Sequence, residues 1–195
     1  MTPTVTGLRE RKRCRVAVEL DGRPWRVLPT DAVVRAGLAV GCKLDRPTAR
    51  ELGREVRRAK ALAAATRTLA ASDRSRRALE QRLTRAGHSA AAREDAIATL
   101  DRAGLVDDTR LAAGRAELLA RRGYGDAAIR ADLRRRSISP ETVADAVASL
   151  EPELARARPL LEGESVSPAL LRRLASRGFS RDTVDELAAS FAQEE

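Results

Sequence analysis

The chain is 195 residues long, 43% apolar and 33% charged, with 37 Lys/Arg against 28 Asp/Glu and a net charge of +9. It has no run of roughly 18 apolar residues, which excludes a membrane-spanning helix, and its two cysteines, Cys14 and Cys42, lack metal-type spacing. Without a signal-like apolar stretch, a cytoplasmic protein with reduced thiols is expected.

Only Trp25, Tyr124, Phe179 and Phe191 are aromatic, while Ala, Leu and Arg dominate, so the core is aliphatic and the fold mostly helical by propensity. In chain order, Val16, Val18 and Leu20 alternate with Arg15, Ala17 and Glu19. Asp21-Gly22 supplies a hairpin turn, and Trp25 with Val27 begins a return strand. Thr30-Asp31 suits the start of a short helix through Ala36 that ends at Gly37, and Val40 to Leu44 reads as a third short extended piece. Pro47 stands well as the first residue of a long helix to about Ala71. That helix sets Leu52, Val56, Ala59, Leu62, Ala63 and Leu69 on one side and Arg50, Arg54, Arg57 and Arg58 largely on others.

Beyond residue 71 the periodicity predicts helices at 72–86, 90–103, 108–122, 126–136, 140–150, 152–161, 167–177 and 181–193. Ser72, Ser89, Asp108, Ser139 or Pro140, Ser167 and Ser180 stand where N-cap or first-turn residues belong. Gly87, Gly104, Gly123, Gly163 and Gly178 stand near helix ends.

These helices carry a pattern that recurs three times, over Leu79 to Leu100, Ile129 to Leu150 and Leu170 to Phe191. Each copy has an aliphatic residue, a leucine four later, a small residue four after that (Gly87, Ser137, Gly178) and a serine two further on (Ser89, Ser139, Ser180). Core-type positions follow at Ile97 and Leu100, Val147 and Leu150, Ala188 and Phe191. A gap-free pattern of this kind marks a helical repeat protein, whose units bury their apolar faces partly against neighbours. The expected architecture is mainly α: elongated tandem three-helix repeats behind a small N-terminal α/β element of a β-hairpin plus a long helix. The expected segments are 1–46 (hairpin and short helix), 47–71 (connecting helix), and repeats at 72–122, 123–163 and 164–195, the last shortened by one helix. One position breaks the pattern: Arg93 stands where the later copies have Val143 and Val184. Either that helix is rotated there or the arginine stem lies along the core with its head in water.

The charge is unevenly placed. Residues 1–71 carry 16 Lys/Arg against 7 Asp/Glu, residues 72–150 carry 15 against 12, and residues 151–195 carry 6 against 9. A basic first third suggests a polyanionic partner, nucleic acid or nucleoprotein. A merely soluble arginine-rich surface explains the charge equally well.

Gly104-Leu105-Val106-Asp107-Asp108-Thr109-Arg110-Leu111-Ala112, followed by Arg121-Arg122-Gly123-Tyr124-Gly125, Ile129, Leu133 and Arg134-Arg135, resembles the centre of the RecX family. The likeness runs from Val16 through the third repeat and includes the Leu20-Asp21-Gly22 hairpin; Leu111 replaces the family's common aromatic and Ser137 its usual glycine. The resemblance implies a regulator that binds RecA protein and lies in the groove of RecA filaments on single-stranded DNA. Such a protein would limit recombinase, ATPase and coprotease activity in DNA repair, homologous recombination and the SOS response.

The residues themselves favour binding over chemistry. Asp107 and Asp108 begin a helix, where a carboxylate accepts backbone N–H groups and favours the dipole, so capping is preferred to a metal site or catalysis for Asp108, while Asp107 can also clamp an arginine. Gly123-Tyr124-Gly125 reads as a tight interhelical link with Tyr124 packing between units. Candidate contacts to RecA or DNA are Arg121, Arg122, Arg130, Arg134, Arg135 and Arg136 in the middle repeat and Arg172, Arg173 and Arg177 in the last. For any one of them a solvated helix face is the simpler account, with pairs such as Asp126 to Arg130. His88, the only histidine, occupies the position of Ile138 and Phe179 and reads as a half-buried packing residue. No nucleophile has a base beside it and no phosphate-binding loop is present. The expectation is a non-enzyme without metal, cofactor or small-molecule substrate, with at most weak direct DNA binding. The rival reading is a stand-alone, phosphate-directed nucleic-acid binder that does not act on RecA.

Overall fold

The computed structural model describes residues 2–161 and 167–192. The chain divides into two compact units, the first Met1–Ser72 with Leu79–Val106, the second Asp73–Ala78 with Asp107–Glu195. Gly163 and the side chain of Phe191 lie outside the described residues.

The first unit opens on an antiparallel sheet of three strands, β1 (Val5–Arg11), β2 (Arg15–Leu20) and β3 (Arg23–Pro29), in that order. The β2–β3 hairpin turns at Asp21-Gly22, both with positive φ (48° and 76°), as its residue types predict. Strand β1 was not legible as a strand, since Val5 and Gly7 flank a register shift and the following turn carries none of the usual residues. Arg13 and Cys14 adopt φ of 65° and 52° there, a region that costs a side chain about 1–2 kcal/mol per residue. The segment at Val40 to Leu44, expected to extend, forms a turn at Val40-Gly41 and pairs only through an isolated bridge of Lys43 to Thr4, with Val5 N–H donating to the Cys42 carbonyl at 2.9 Å.

One face of the sheet packs on α1 (Thr30–Arg35) and the start of α2 (Arg46–Ala71), burying Val5, Val16, Val18, Leu28, Val33, Leu38, Leu44 and Leu52. Each such side chain contributes about 1.5–3 kcal/mol on burial. Asp45 caps α2 by accepting the Thr48 N–H at 2.9 Å, with Pro47 in the first turn. The inner face of α2 runs through Leu52, Ala61 and Ala65, whereas Ala63, read as inward from the sequence, is exposed. Alanine decides this: Ala61 lets α2 approach Ala92 and Ala96 of α4 (Ala90–Arg102) closely.

Ser72 ends α2 instead of starting the next helix, and α3 (Arg76–Arg85) follows Ser75, whose hydroxyl accepts the Ala78 N–H at 3.2 Å. Ala65, Leu79, Leu83, Ile97, Leu100 and Val106 form one aliphatic cluster. Arg93 keeps the helix in place and turns its head aside, donating from Nη1 to the His88 carbonyl at 2.8 Å.

In the second unit, α5 (Asp108–Arg121), α6 (Asp126–Arg135) and α7 (Pro140–Ala148) enclose Ala112, Ala116, Leu119, Ile129, Leu133, Ile138, Val143, Ala146 and Val147. A further cluster joins α8 (Glu153–Ala157) and the 3-10 turn Arg158–Leu161 to α9 (Pro168–Ser176) and α10 (Arg181–Ala192) through Ala157, Leu161, Leu170, Leu174, Phe179 and Leu187. The cores thus group the helices as α2 to α4, α5 to α7 and α8 to α10. The sequence pattern starts its units one helix later, and counting α8 with α9 and α10 turns the seemingly shortened last repeat into a full triplet.

Candidate functional site

The nine arginines singled out by the sequence lie on three helices and their ends, and the structure divides them by partner. Arg135 and Arg136 reach Asp132 at 3.6 and 2.9 Å, and Arg115 of α5, which sequence reasoning missed, holds the same carboxylate at 2.8 Å. The Arg115 hydrogen bond is the main reason the Asp132 carboxyl falls from 3.8 to about 2; partial burial opposes it and Arg136 adds to it. Arg130 pairs with Asp126 at 3.5 Å, as its spacing predicts, and Arg121 stands 3.9 Å from Glu117 in full solvent, where a pair contributes little. Arg172 and Arg173 are exposed on α9. The side chains of Arg122, Arg134, Arg172 and Arg177 make no ion pair or hydrogen bond among the described residues, which leaves them available to a partner.

Asp107 and Asp108 act as caps for two different helices. Asp107 is the N-cap of α5, accepting the Arg110 N–H at 2.9 Å, and Asp108 accepts the Arg76 N–H at 2.8 Å from the first turn of α3. Beside it the Ser75 hydroxyl donates to the Arg136 carbonyl at 2.6 Å. Both aspartates are therefore engaged with backbone. Among the described residues no group of three or more His, Cys, Asp or Glu is placed to hold a metal ion, and no helix is long and apolar enough to cross a membrane.

Gly123-Tyr124-Gly125 forms the tight α5–α6 link. Gly123 has φ of 74°, and a Cβ there would lie 2.8 Å from Arg177 Nη1. Gly125 N–H donates to the Arg177 carbonyl and Ala127 N–H to the Gly178 carbonyl, each at 3.0 Å. The Tyr124 ring, read from sequence as packed between units, is 40% exposed. What fixes this junction is Glu153, which the sequence did not reveal. Its carboxylate accepts the Asp126 N–H at 2.6 Å, the Ser180 N–H at 3.0 Å and hydroxyls of Ser180 and Thr183 at 2.6 and 2.9 Å. Burial alone would raise its pKa, but these hydrogen bonds together bring it below the usual range. Arg156 adds an ion pair to Asp126 and a hydrogen bond to the Tyr124 carbonyl.

The unbalanced charge lies elsewhere. The second unit carries 17 Lys/Arg and 17 Asp/Glu, whereas the first carries 20 against 11, the whole net charge of +9. Within the first unit a cleft of about 720 Å³ is lined by Arg13 and Arg15 at the β1–β2 turn, by Arg35 of α1, and by Lys60 and Arg67 of α2. The signal for it in the sequence was the basic first third, but the strand that brings Arg13 to α2 was not visible.

The middle helices match the family model described as "RecX, second three-helix domain" over residues 107–147, the span of α5 to α7. The chain is 34% identical over 122 residues to the regulatory protein RecX of Stenotrophomonas maltophilia strain R551-3, covering 57% of this chain and 75% of that protein. The likeness to the protein of that name from strain K279a has the same extent. Among solved structures, a crystal structure of regulatory protein RecX superposes with a TM-score of 0.76 over 94% of this chain and 97% of that one at 18% identity. RecX from Lactobacillus salivarius superposes with a TM-score of 0.62 over 70% and 97% at 19% identity. These two share the fold.

Proposed function

This chain belongs to the RecX family, and from that premise we propose that it is a regulatory protein of RecA. In this reading it binds RecA and RecA filaments on single-stranded DNA in the cytoplasm and lowers filament growth, ATP turnover, strand exchange and coprotease activity. The observation that carries the proposal is the 34% identity spread over three quarters of a regulatory protein RecX.

The geometry supports a binding role. Arg122, Arg134, Arg172 and Arg177 present charge without a counter-ion among the described residues, on helices whose apolar faces are buried in their own cores. Such groups lose little on contact with an acidic protein surface, because no existing pair has to break, and they steer association at low ionic strength. Arg135 and Arg136 instead help to hold Asp132 and serve the fold first. Repetition supplies the second part. A filament displays equivalent sites at fixed spacing, and a chain with several basic helix faces gains by engaging more than one protomer.

Co-sedimentation tests this reading. The protein is expected to pellet with RecA-coated single-stranded DNA at concentrations where it leaves the bare strand largely unbound, and Arg122→Glu with Arg134→Glu is expected to reduce that pelleting while helix content stays unchanged. Pelleting with bare DNA as readily as with the filament would favour a stand-alone nucleic-acid binder.

A further inference from the structure

We propose that the cleft of the first unit binds the phosphate backbone of a single nucleic-acid strand. This deepens the reading of a filament-binding regulator, on which it rests, by giving the strand a site separate from the arginine faces of the second unit.

Three observations carry it. The first is the absence of internal neutralisation. Of the five cations lining the cleft, only Arg35 has an anionic partner, Asp31, whose two oxygens it reaches at 3.0 Å each. Arg13, Arg15, Lys60 and Arg67 are exposed and make no ion pair or side-chain hydrogen bond among the described residues. Four cations gathered from the turn and α2 around one concavity repel one another unless an anion sits among them.

The second is the conformation of the turn. Arg13 and Cys14 hold φ of 65° and 52°, the left-handed region that glycine or asparagine would occupy most easily. The chain keeps an arginine at this tip, over the cleft, in a conformation that disfavours any branched-off side chain. Such outliers persist where the side chain has a task.

The third is the shape and floor of the cleft. Ala59, Leu62, Ala63, Ala64 and Pro29 give it an apolar lining beneath the charged rim. An unpaired strand offers phosphates to the rim and sugar and base edges to such a floor. At about 720 Å³ the cleft has room for a nucleotide or two of a single strand. The half-buried His88 is the one aromatic ring on its described lining and no Phe, Tyr or Trp joins it, so stacking is limited to that edge and the contact is directed mainly to phosphate with little base preference.

The experiment compares two triple variants with equal loss of charge in binding a short oligothymidine, measured by fluorescence anisotropy over a range of salt. Arg13→Ala, Lys60→Ala and Arg67→Ala empty the cleft; Arg122→Ala, Arg134→Ala and Arg172→Ala serve as the comparison. The cleft triple is expected to weaken low-salt binding by at least about tenfold and to lower the slope of log K against log salt by about 2, since each single-strand phosphate contact contributes about 0.7. The comparison triple is expected to keep the parental slope.

Cys14, exposed in the same cleft, gives a readout on the unaltered protein. Saturating oligothymidine is expected to slow its alkylation by N-ethylmaleimide several-fold while partly buried Cys42 reacts as before. Unslowed alkylation of Cys14, equal losses in both triples, or a cleft triple that binds DNA normally yet loses RecA would each overturn the proposal; the last would give the cleft to an acidic protein surface. A parent protein that shows cleft-dependent DNA binding and leaves RecA activity untouched would instead overturn only the regulator reading.

Discussion

Gly125 and Gly178 lie backbone against backbone: a Cβ added at Gly125 would overlap the Gly178–Phe179 peptide, and one added at Gly178 would stand 2.5 Å from the backbone nitrogen of Ala128. Helices α6 and α9 meet at this contact, with Glu153 capping the start of α6 and the start of α10 beside it.

The first prediction follows from that approach. Gly125→Ala is expected to destabilise the protein by about 2–3 kcal/mol, because the added methyl meets main chain that cannot rotate away. Gly114, in the middle of α5 with nothing within 4 Å of its would-be Cβ, is the control. Gly114→Ala is expected to add about 0.5–1 kcal/mol through helix propensity. Urea unfolding followed by circular dichroism measures both; similar shifts for the two variants would contradict the packing account.

Ser137 supplies the second. It holds φ of 61° at the end of α6, where Gly87 and Gly178 serve the corresponding helices. Ser137→Gly relieves a left-handed conformation worth about 1–2 kcal/mol, offset in part by the added freedom of the unfolded chain. A net gain of about 0.5–1 kcal/mol in unfolding free energy is expected. A loss would mean that the Ser137 side chain makes a compensating contact.

Asp132 gives a pH dependence. Its carboxyl titrates at about 2 in the folded protein against 3.8 ordinarily, first because of the hydrogen bond from Arg115 and then, against partial burial, through Arg136. A depressed folded pKa means that the stabilisation is fully present above the unfolded value and disappears as pH falls through the folded one. The stability gap between the parent protein and Asp132→Asn is therefore expected to be constant above about pH 5 and to close between about pH 4 and 2. A gap independent of pH over that range would show that the three arginines do not bind the charged form preferentially.

The helices were legible because their signals are local: serine caps, terminal glycines and the Leu79–Leu83 spacing that recurs at Ile129–Leu133 and Leu170–Leu174. What escaped depends on distant partners. Strand β1 ends in a Lys12-Arg13-Cys14 turn that carries no glycine or asparagine, and only its pairing with β2 reveals it. Glu153 looks like any first-turn acid, yet it caps the starts of two helices by accepting the N–H groups of Asp126 and Ser180, each 27 residues away along the chain. The triplet phase escaped for a similar reason, since α8 lacks the repeating leucine pair and only the shared core assigns it to α9 and α10. For the arginines, spacing found the Asp126–Arg130 pair, but Arg115 lies 17 residues from Asp132 and joins it only in three dimensions.

The regulator account is tested most directly by RecA ATP hydrolysis on single-stranded DNA, measured as the protein is added, with its binding to the bare strand determined in the same salt. Matched salt matters because counterion release alone moves DNA affinity by orders of magnitude. Inhibition is predicted at protein levels well below those of RecA and below those that coat the DNA. Inhibition only once the DNA itself is saturated, or no inhibition at all, would contradict it.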